Sequence, residues 1–349
     1  MWLVVVAFVF VVCILYVKAR FWVRQPVRLW WQFPQKGVIQ GIPPSKYIDH
    51  VNVVSVKHEV NSNTDALVEY IQTQTNDVYF PSTVNITTYF VDAYISVYNS
   101  VYNSVHTETE TAIEGCIVSR PIELNVDGSR HRAFYHETMT SEKDDITKRL
   151  LSTHSLNLSN VYPKAPTVFS TTIPIFFVQP VLKYDVIWVQ TRVFRKYRLP
   201  DITYLKINEN NVHIAVEWWK EHTYGVQMVP TVAQLVSWLQ TKTASIYFVL
   251  QNGIVLGSFY FRKTMMVEHN KGVIDCCGAI FPNDTTLLFQ TLSTLLFRAR
   301  RVNSIVRLHT SSTLTLLPNI PYFKKTTLYY YLYRYKGPAC LQPSDSFMY

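Results

Sequence analysis

The sequence predicts a mixed α/β protein of the α+β class, built as two similar halves behind one amino-terminal transmembrane helix. Three observations carry that expectation. Of 349 residues, 48% are hydrophobic and only 16% charged, with 23 Tyr and 19 Phe, a balance that favours strands and aromatic packing over long solvated helices. Met1 to Val17 carries no charge, close to the length of about 20 apolar residues that crosses a bilayer as a helix. The order of antiparallel strands followed by an amphipathic helix reads twice, over 113–154 and again over 245–301, which implies an internal duplication.

The chain divides into an anchor (1–18), an aromatic arm and loop (19–46), a first half (47–195) and a second half (196–349). Lys18, Arg20, Arg24 and Arg28 follow the apolar run, so the positive-inside tendency places the folded part on the cytoplasmic side of a single-pass membrane protein. No basic region precedes the run and no Ala-x-Ala-like site follows it, which favours an uncleaved anchor over a signal peptide. Phe21 to Val27 and Leu29-Trp30-Trp31 place three tryptophans within a short stretch; a solvated linker would not, so the arm packs on the body or on a ligand. Residues 33–46, with two Gly and three Pro, read as a surface loop.

Val51 to Val56 reads as a strand and Asn63 to Gln74 as a helix. Ser-Val-Tyr-Asn occurs twice from Ser96; its four-residue period suits a helix, whereas Val and Tyr prefer a strand. Gly115 to Val126 and Arg130 to Met139 are strands, and Lys143 to His154 a helix with Ile146, Leu150 and Leu151 on one face. In the second half, 211–223 and 231–241 read as helices. Ser245 to Leu250 and Ile254 to Phe261 form a hairpin about Asn252-Gly253. Val273 to Phe281 is the third strand, Thr285 to Arg301 an amphipathic helix, and Leu328 to Pro338 a Tyr-rich closing strand.

The net charge of +9 is scattered rather than blocked, so no nucleic-acid partner is expected. Five cysteines without a Cys-x-x-Cys pair predict neither disulfides nor a metal site, and suit a reducing compartment. No Ser/His/Asp set, His-Glu-x-x-His helix or phosphate-binding Gly loop is present, which counts against hydrolases, zinc peptidases and nucleotide triphosphatases. No prosthetic group is expected. His136, His154 and His309 read as core or surface residues. Asn-x-Ser/Thr triplets at Asn85, Asn157 and Asn283 would accept glycans only on a lumenal domain.

An aromatic pair, two variable positions and Gln-Pro-Val (Phe21, Trp22, Gln25, Pro26, Val27) resemble the opening motif of the eukaryotic glycylpeptide N-tetradecanoyltransferases, the N-myristoyltransferases. Val161-Tyr162-Pro163-Lys164-Ala165-Pro166, Phe177 to Leu182, Tyr197-Arg198-Leu199-Pro200 and the Tyr330 to Pro338 strand resemble later motifs of that family, in the family's order. The resemblance implies a tandem GCN-related acyl-CoA N-acyltransferase (GNAT-like) fold. It implies myristoyl-CoA as co-substrate and a protein amino-terminal glycine as acceptor.

By the same resemblance, Phe21, Trp22 and Gln25 lie on the acyl-CoA, with Lys143, Lys148 and Arg149 near its phosphates. The backbone amides of Phe134 and Tyr135 form the oxyanion hole, and the carboxylate of Tyr349 is the base. Direct attack by an amine needs only such donors and a proton acceptor. The sequence departs from the family in three places. Ser141-Glu142-Lys143-Asp144-Asp145-Ile146 is acidic where a basic phosphate segment is expected. Phe323-Lys324-Lys325 is basic where a Gly/Asp loop receives a basic peptide, and Ala19 lies where a Tyr usually precedes the aromatic pair. Two readings stay open: a fatty acyltransferase, or a non-catalytic relative serving as a membrane-anchored binding or structural protein.

Overall fold

The computed structural model describes the chain except residues 1, 24, 31, 33–36, 39–44, 58–64, 75–82, 89, 104–108, 142, 177, 269–270, 282–283 and 337–339. Trp31, Glu142, Asn283, Pro338 and most of the 33–46 loop therefore lie outside the described residues. Helix α1 (Trp2–Val23) leads to β1 (Gly37–Val38), β2 (Val53–Lys57), α2 (Asp65–Thr73) and α3 (Thr83–Thr88). The first repeat comprises β3 (Tyr94–Asn103), β4 (Thr109–Val126), β5 (Ser129–Ser141), α4 (Asp144–Val161) and β6 (Thr167–Thr171), after which β7 (Leu182–Gln190) crosses to the second half. β8 (Ile202–Lys206), α5 (Val212–Glu221), β9 (Val226–Pro230) and α6 (Val232–Gln240) come next. The second repeat is β10 (Ala244–Gln251), β11 (Ile254–Glu268), β12 (Lys271–Ile280), α7 (Thr285–Ala299) and β13 (Asn303–His309). β14 (Lys324–Tyr333), β15 (Tyr335–Lys336) and β16 (Ser346–Met348) close the chain.

A 14-stranded sheet runs through both halves. It is continuous because β14 pairs with both β6 and β7, and β7 pairs with β13. The repeated Ser-Val-Tyr-Asn stretch is strand β3, since its backbone pairs with β2 on one side and β4 on the other; two ladders outweigh a four-residue period. At the β10–β11 turn, Asn252 and Gly253 have φ of 51° and 82°, the pair of positive values that a tight hairpin needs.

Both repeats end their meander in the same way. Val118 faces Thr138 and Ser119 faces His136, which leaves Glu137 as an extra residue on β5. Tyr260 faces Gly278 and Phe261 faces Cys276, which leaves Cys277 as an extra residue on β12. Each bulge comes just past the last parallel pair with the following strand, Tyr135 with Val168 and Cys276 with Leu308. A bulge re-aims its side chain and bends its strand. The strands therefore part at the middle of each half, and both extra residues lie buried or nearly so.

The predicted transmembrane helix is not established by the fold. Among the described residues no helix is long and apolar enough to cross a membrane; the side chains of α1 are described without a break only from Val4 to Ile14.

Candidate active site

The aromatic arm crosses the centre of the sheet as a strap. Val27 bridges to Tyr333 and Leu29 to Val178, and Arg334 N–H donates to Pro26 O at 2.7 Å. Gln25 is buried and accepts a hydrogen bond from the Tyr333 hydroxyl. Phe21 is buried edge-on to Trp22 and Tyr47 at 5.2 and 5.4 Å. Phe21 and Gln25 thus hold the strap in place. Trp22 does something else: it stacks on Phe169 at 5.8 Å and lines a cleft of ≈ 1040 Å³, at the upper end of the range of about 300–1,000 Å³ for small-molecule sites. Ile173, Pro174, Ile175 and Phe176 form its apolar wall, and Asp144, Thr147 and Ser170 its polar one.

Asp144 and Thr147 bring the amino end of α4 to this cleft, with Lys143 at the cap position. Such an end favours anions, but two carboxylates already occupy its first turn. Lys148 pairs with Asp144, and Arg149 pairs with Asp145 at 2.7 Å and Asp49 at 3.0 Å. Burial opposes the charge of Asp49, yet bonds from Asn52 and Arg149 hold its carboxyl below the usual range. The hydrogen bond to Asp144 raises the Lys148 pKa. Two of the three cations expected at the phosphates are therefore held by carboxylates. On the expectation, implied by the sequence resemblance, that CoA phosphates lie at this end, converting Asp144 and Asp145 together to Asn should tighten CoA binding by about fivefold, because each charge at a helix end is worth about 0.3–1 kcal/mol. Calorimetry at low salt measures this, and unchanged affinity would place the phosphates elsewhere.

Phe134 is fully buried, and its N–H donates to Pro166 O at 3.0 Å, so this expected oxyanion donor is engaged between β5 and its neighbour. The Tyr135 hydroxyl lies 2.9 Å from Ser170 Oγ in the cleft wall. Its ring lies between the Arg120 guanidinium at 5.1 Å and Tyr330 at 6.4 Å.

Beyond Tyr135 lies a buried charge cluster. Glu137, the bulged residue, takes Arg120 at 2.8 Å and Arg262 at 3.2 Å. Asp275 takes Arg307 at 2.6 Å and lies 3.9 Å from Arg262 and 3.6 Å from His309 Nε2. A chain of hydroxyls adjoins it: Tyr330 to Tyr184 at 2.9 Å, then Tyr184 to His309 Nδ1 at 3.1 Å. Burial alone would raise the Asp275 pKa, but Arg307, His309 and Arg262 hold it at about 2. Arg120 also lies over Trp238 at 4.9 Å, and Trp238 meets Tyr349 at 6.0 Å. Tyr349 is packed into the core, its N–H donating to Met228 O at 2.9 Å. Asp275, Cys277 and His309 bring three ligand-type atoms within 4.8 Å. Burial pushes the Cys277 thiol up to about 12 and two guanidiniums flank Asp275, so the set suits an ion pair better than a metal cation.

The histidines set aside in the sequence are also organised. Asn157 Nδ2 donates to Ser55 Oγ at 3.0 Å, and Ser55 meets Ser96 at 2.6 Å. Ser96 meets His154 Nδ1 at 2.8 Å, His154 Nε2 meets Ser119 at 2.7 Å, and Ser119 meets His136 Nδ1 at 2.6 Å. The chain ends at His136, stacked on Phe169 at 6.2 Å, one ring behind Trp22. Burial lowers His136 from 6.5 to about 4, and burial together with the neighbouring His136 lowers His154 well below its ordinary value. Both rings are neutral when folded and take up protons when unfolded. Their contribution to stability is therefore full above 6.5 and is lost as pH falls from there toward 4, at about 1.4 kcal/mol per pH unit for each ring. Urea titrations at pH 7 and pH 5 measure the loss; equal midpoints would contradict it.

The bulged meander and splayed parallel strand, repeated on one sheet beside a cleft at a helix amino end, give a fold like that of the GCN5-related N-acyltransferases. Within that class the fold is N-myristoyltransferase-like. Saccharomyces cerevisiae N-myristoyltransferase with bound myristoyl-CoA superposes with a TM-score of 0.64 and 13% identity over 94% of this chain and 96% of that one. The yeast enzyme with myristoyl-CoA and inhibitors gives 0.64 and 12% over 94% and 93%. A GCN5-related N-acetyltransferase from Kribbella flavida gives 0.50 and 7% over 81% and 72%. No family profile and no curated protein matches the sequence.

Proposed function

We propose that the protein is a membrane-anchored acyltransferase that moves a fatty acyl group, myristoyl in the simplest case, from CoA to the amine of an amino-terminal glycine. The observation that carries this reading is the Trp22-lined cleft, which joins the amino end of α4 to the Tyr135 region through Ser170. Trp22 and the Ile173 to Phe176 wall would hold the thioester arm, with Lys143, Lys148 and Arg149 nearest its phosphates. The amine attacks the thioester carbon, the C–N bond forms and the C–S bond breaks, and CoA leaves as its thiol. The Tyr135 amide would steady the oxyanion, since the Phe134 N–H is taken by Pro166 O, and the Tyr349 carboxylate, the base that the resemblance implies, would take the ammonium proton. Glu137 is a poor alternative base, because Arg262 and Arg120 hold its carboxyl low despite burial.

The anchor belongs to the same reading. Exposed Trp2, Val4, Phe8 and Phe10 on α1 would be covered by lipid, and Lys18 and Arg20 would keep the catalytic part on the cytoplasmic face.

A second reading, a non-catalytic relative serving as a membrane-anchored binding or structural protein, is favoured by two observations: the Phe134 amide is engaged by Pro166, and Lys148 and Arg149 are paired with carboxylates. The experiment supplies the full chain in lipid nanodiscs with myristoyl-CoA and a Gly-initiated peptide, and follows release of CoA thiol. Release that requires both protein and peptide supports the transferase. Binding of myristoyl-CoA without release leaves the second reading in its place.

A further inference from the structure

A second cavity, of ≈ 360 Å³, opens at the charge cluster. Ile71 and Ile86 give it an apolar wall, and Glu137, Arg262, Lys263, Asp275 and Arg307 a charged one. Its two carboxylates are already matched, Glu137 by Arg120 and Arg262 and Asp275 by Arg307. Among the described residues the cluster holds three guanidiniums and two carboxylates, and exposed Lys263 adds a further cation.

The surplus continues outward. Arg307 lies over the Trp188 ring at 5.3 Å, and Lys324 lies over the same ring at 4.5 Å. Lys325 beside it is matched by Asp185 at 2.8 Å, whereas the exposed Lys324 sits on the aromatic ring. The described residues thus form a strip from Lys263 through Arg307 and Trp188 to Lys324 in which cations outnumber carboxylates. A basic chain entering here meets like charge; an acidic chain neutralises the surplus without displacing a buried pair.

We propose that this cavity takes an acidic peptide, one that pairs Asp or Glu with Lys263 and Lys324 and sets an apolar side chain against Ile71 and Ile86. Under the transferase reading, on which only this identity of the segment rests, the peptide is the part of the acceptor that follows its amine.

The test measures fluorescence anisotropy of labelled Gly-initiated peptides of equal length, one rich in Asp and Glu and one rich in Lys and Arg, against the full chain in nanodiscs. The acidic peptide is expected to bind about tenfold more tightly at low salt, with an advantage that shrinks as salt rises. Lys263→Glu with Lys324→Glu changes two exposed side chains and should reverse the order. Equal binding of the two peptides, preference for the basic one, or a preference unchanged in the double variant would overturn the proposal. Acidic-peptide binding by a chain that neither binds nor transfers acyl groups keeps this inference and removes the transferase. Faster transfer to the basic peptide does the opposite.

Discussion

Glu137→Ala is expected to lower the unfolding free energy by about 3–5 kcal/mol, because it leaves Arg120 buried without a counter-charge and Arg262 with only Asp275 at 3.9 Å. Arg120 is 1% exposed, so bulk water screens the charge left behind only weakly. The loss should be non-additive with Arg262→Met, since the second change removes one of the two cations that lose Glu137. The pH dependence has a defined sign. Glu137 and Asp275 both have folded pKa values below their ordinary ones, that of Asp275 about 2. Their contribution is present above 4.5 and 3.8, the ordinary values, and is lost as pH falls through the folded values. Urea unfolding of the variant at pH 7 checks the first claim; a loss below about 1 kcal/mol, the level of an exposed pair, would mean that the cluster is solvated rather than closed.

Trp22→Ala should weaken myristoyl-CoA binding by about tenfold to a hundredfold while leaving the protein folded. Trp22 is partly buried, stacked on Phe169 and in the cleft wall, and a large apolar contact is worth about 1.5–3 kcal/mol. Its neighbour should behave differently. Phe21 is 8% exposed and packs on Tyr47, so Phe21→Ala should cost about 3–5 kcal/mol of stability, with any effect on binding secondary to that. Equal binding by the Trp22 variant and the parent would move the acyl-CoA site away from the strap. Parallel isothermal titration and thermal melts on the two variants separate the roles.

The meander hairpins were legible because their signals are local. Asn252-Gly253 sets its own turn, and the leucines of α7 repeat at helical spacing. The Ser-Val-Tyr-Asn repeat was ambiguous because its two signals disagree, and only pairing with β2 and β4 resolves them. β9 and β16 gave no periodic signal: both are short and buried throughout, so they show no alternation. Their parallel pairing joins residues more than a hundred positions apart.

The site was legible where it rests on adjacent residues and hidden where it rests on distant ones. Trp22, expected on the acyl-CoA from seven residues of sequence, lines the cleft. Arg120, Glu137, Arg262, Asp275 and Arg307 were missed, since each lies on a different strand, β4, β5, β11, β12 and β13, and the cluster exists only when the two halves meet. The signal that could have found them is a charge inside a strand otherwise fit for the core, as in Val273-Ile274-Asp275-Cys276-Cys277. The serine–histidine chain was hidden for the same reason, with its members on β2, β3, β4, β5 and α4.

The most direct measurement is a calorimetric titration of myristoyl-CoA into the folded full chain in nanodiscs, with empty nanodiscs as the blank. The account predicts a single site of micromolar or tighter affinity, retained when the acyl chain is myristoyl and weakened when it is acetyl. A folded chain that gives no binding heat beyond the blank at several temperatures would contradict it.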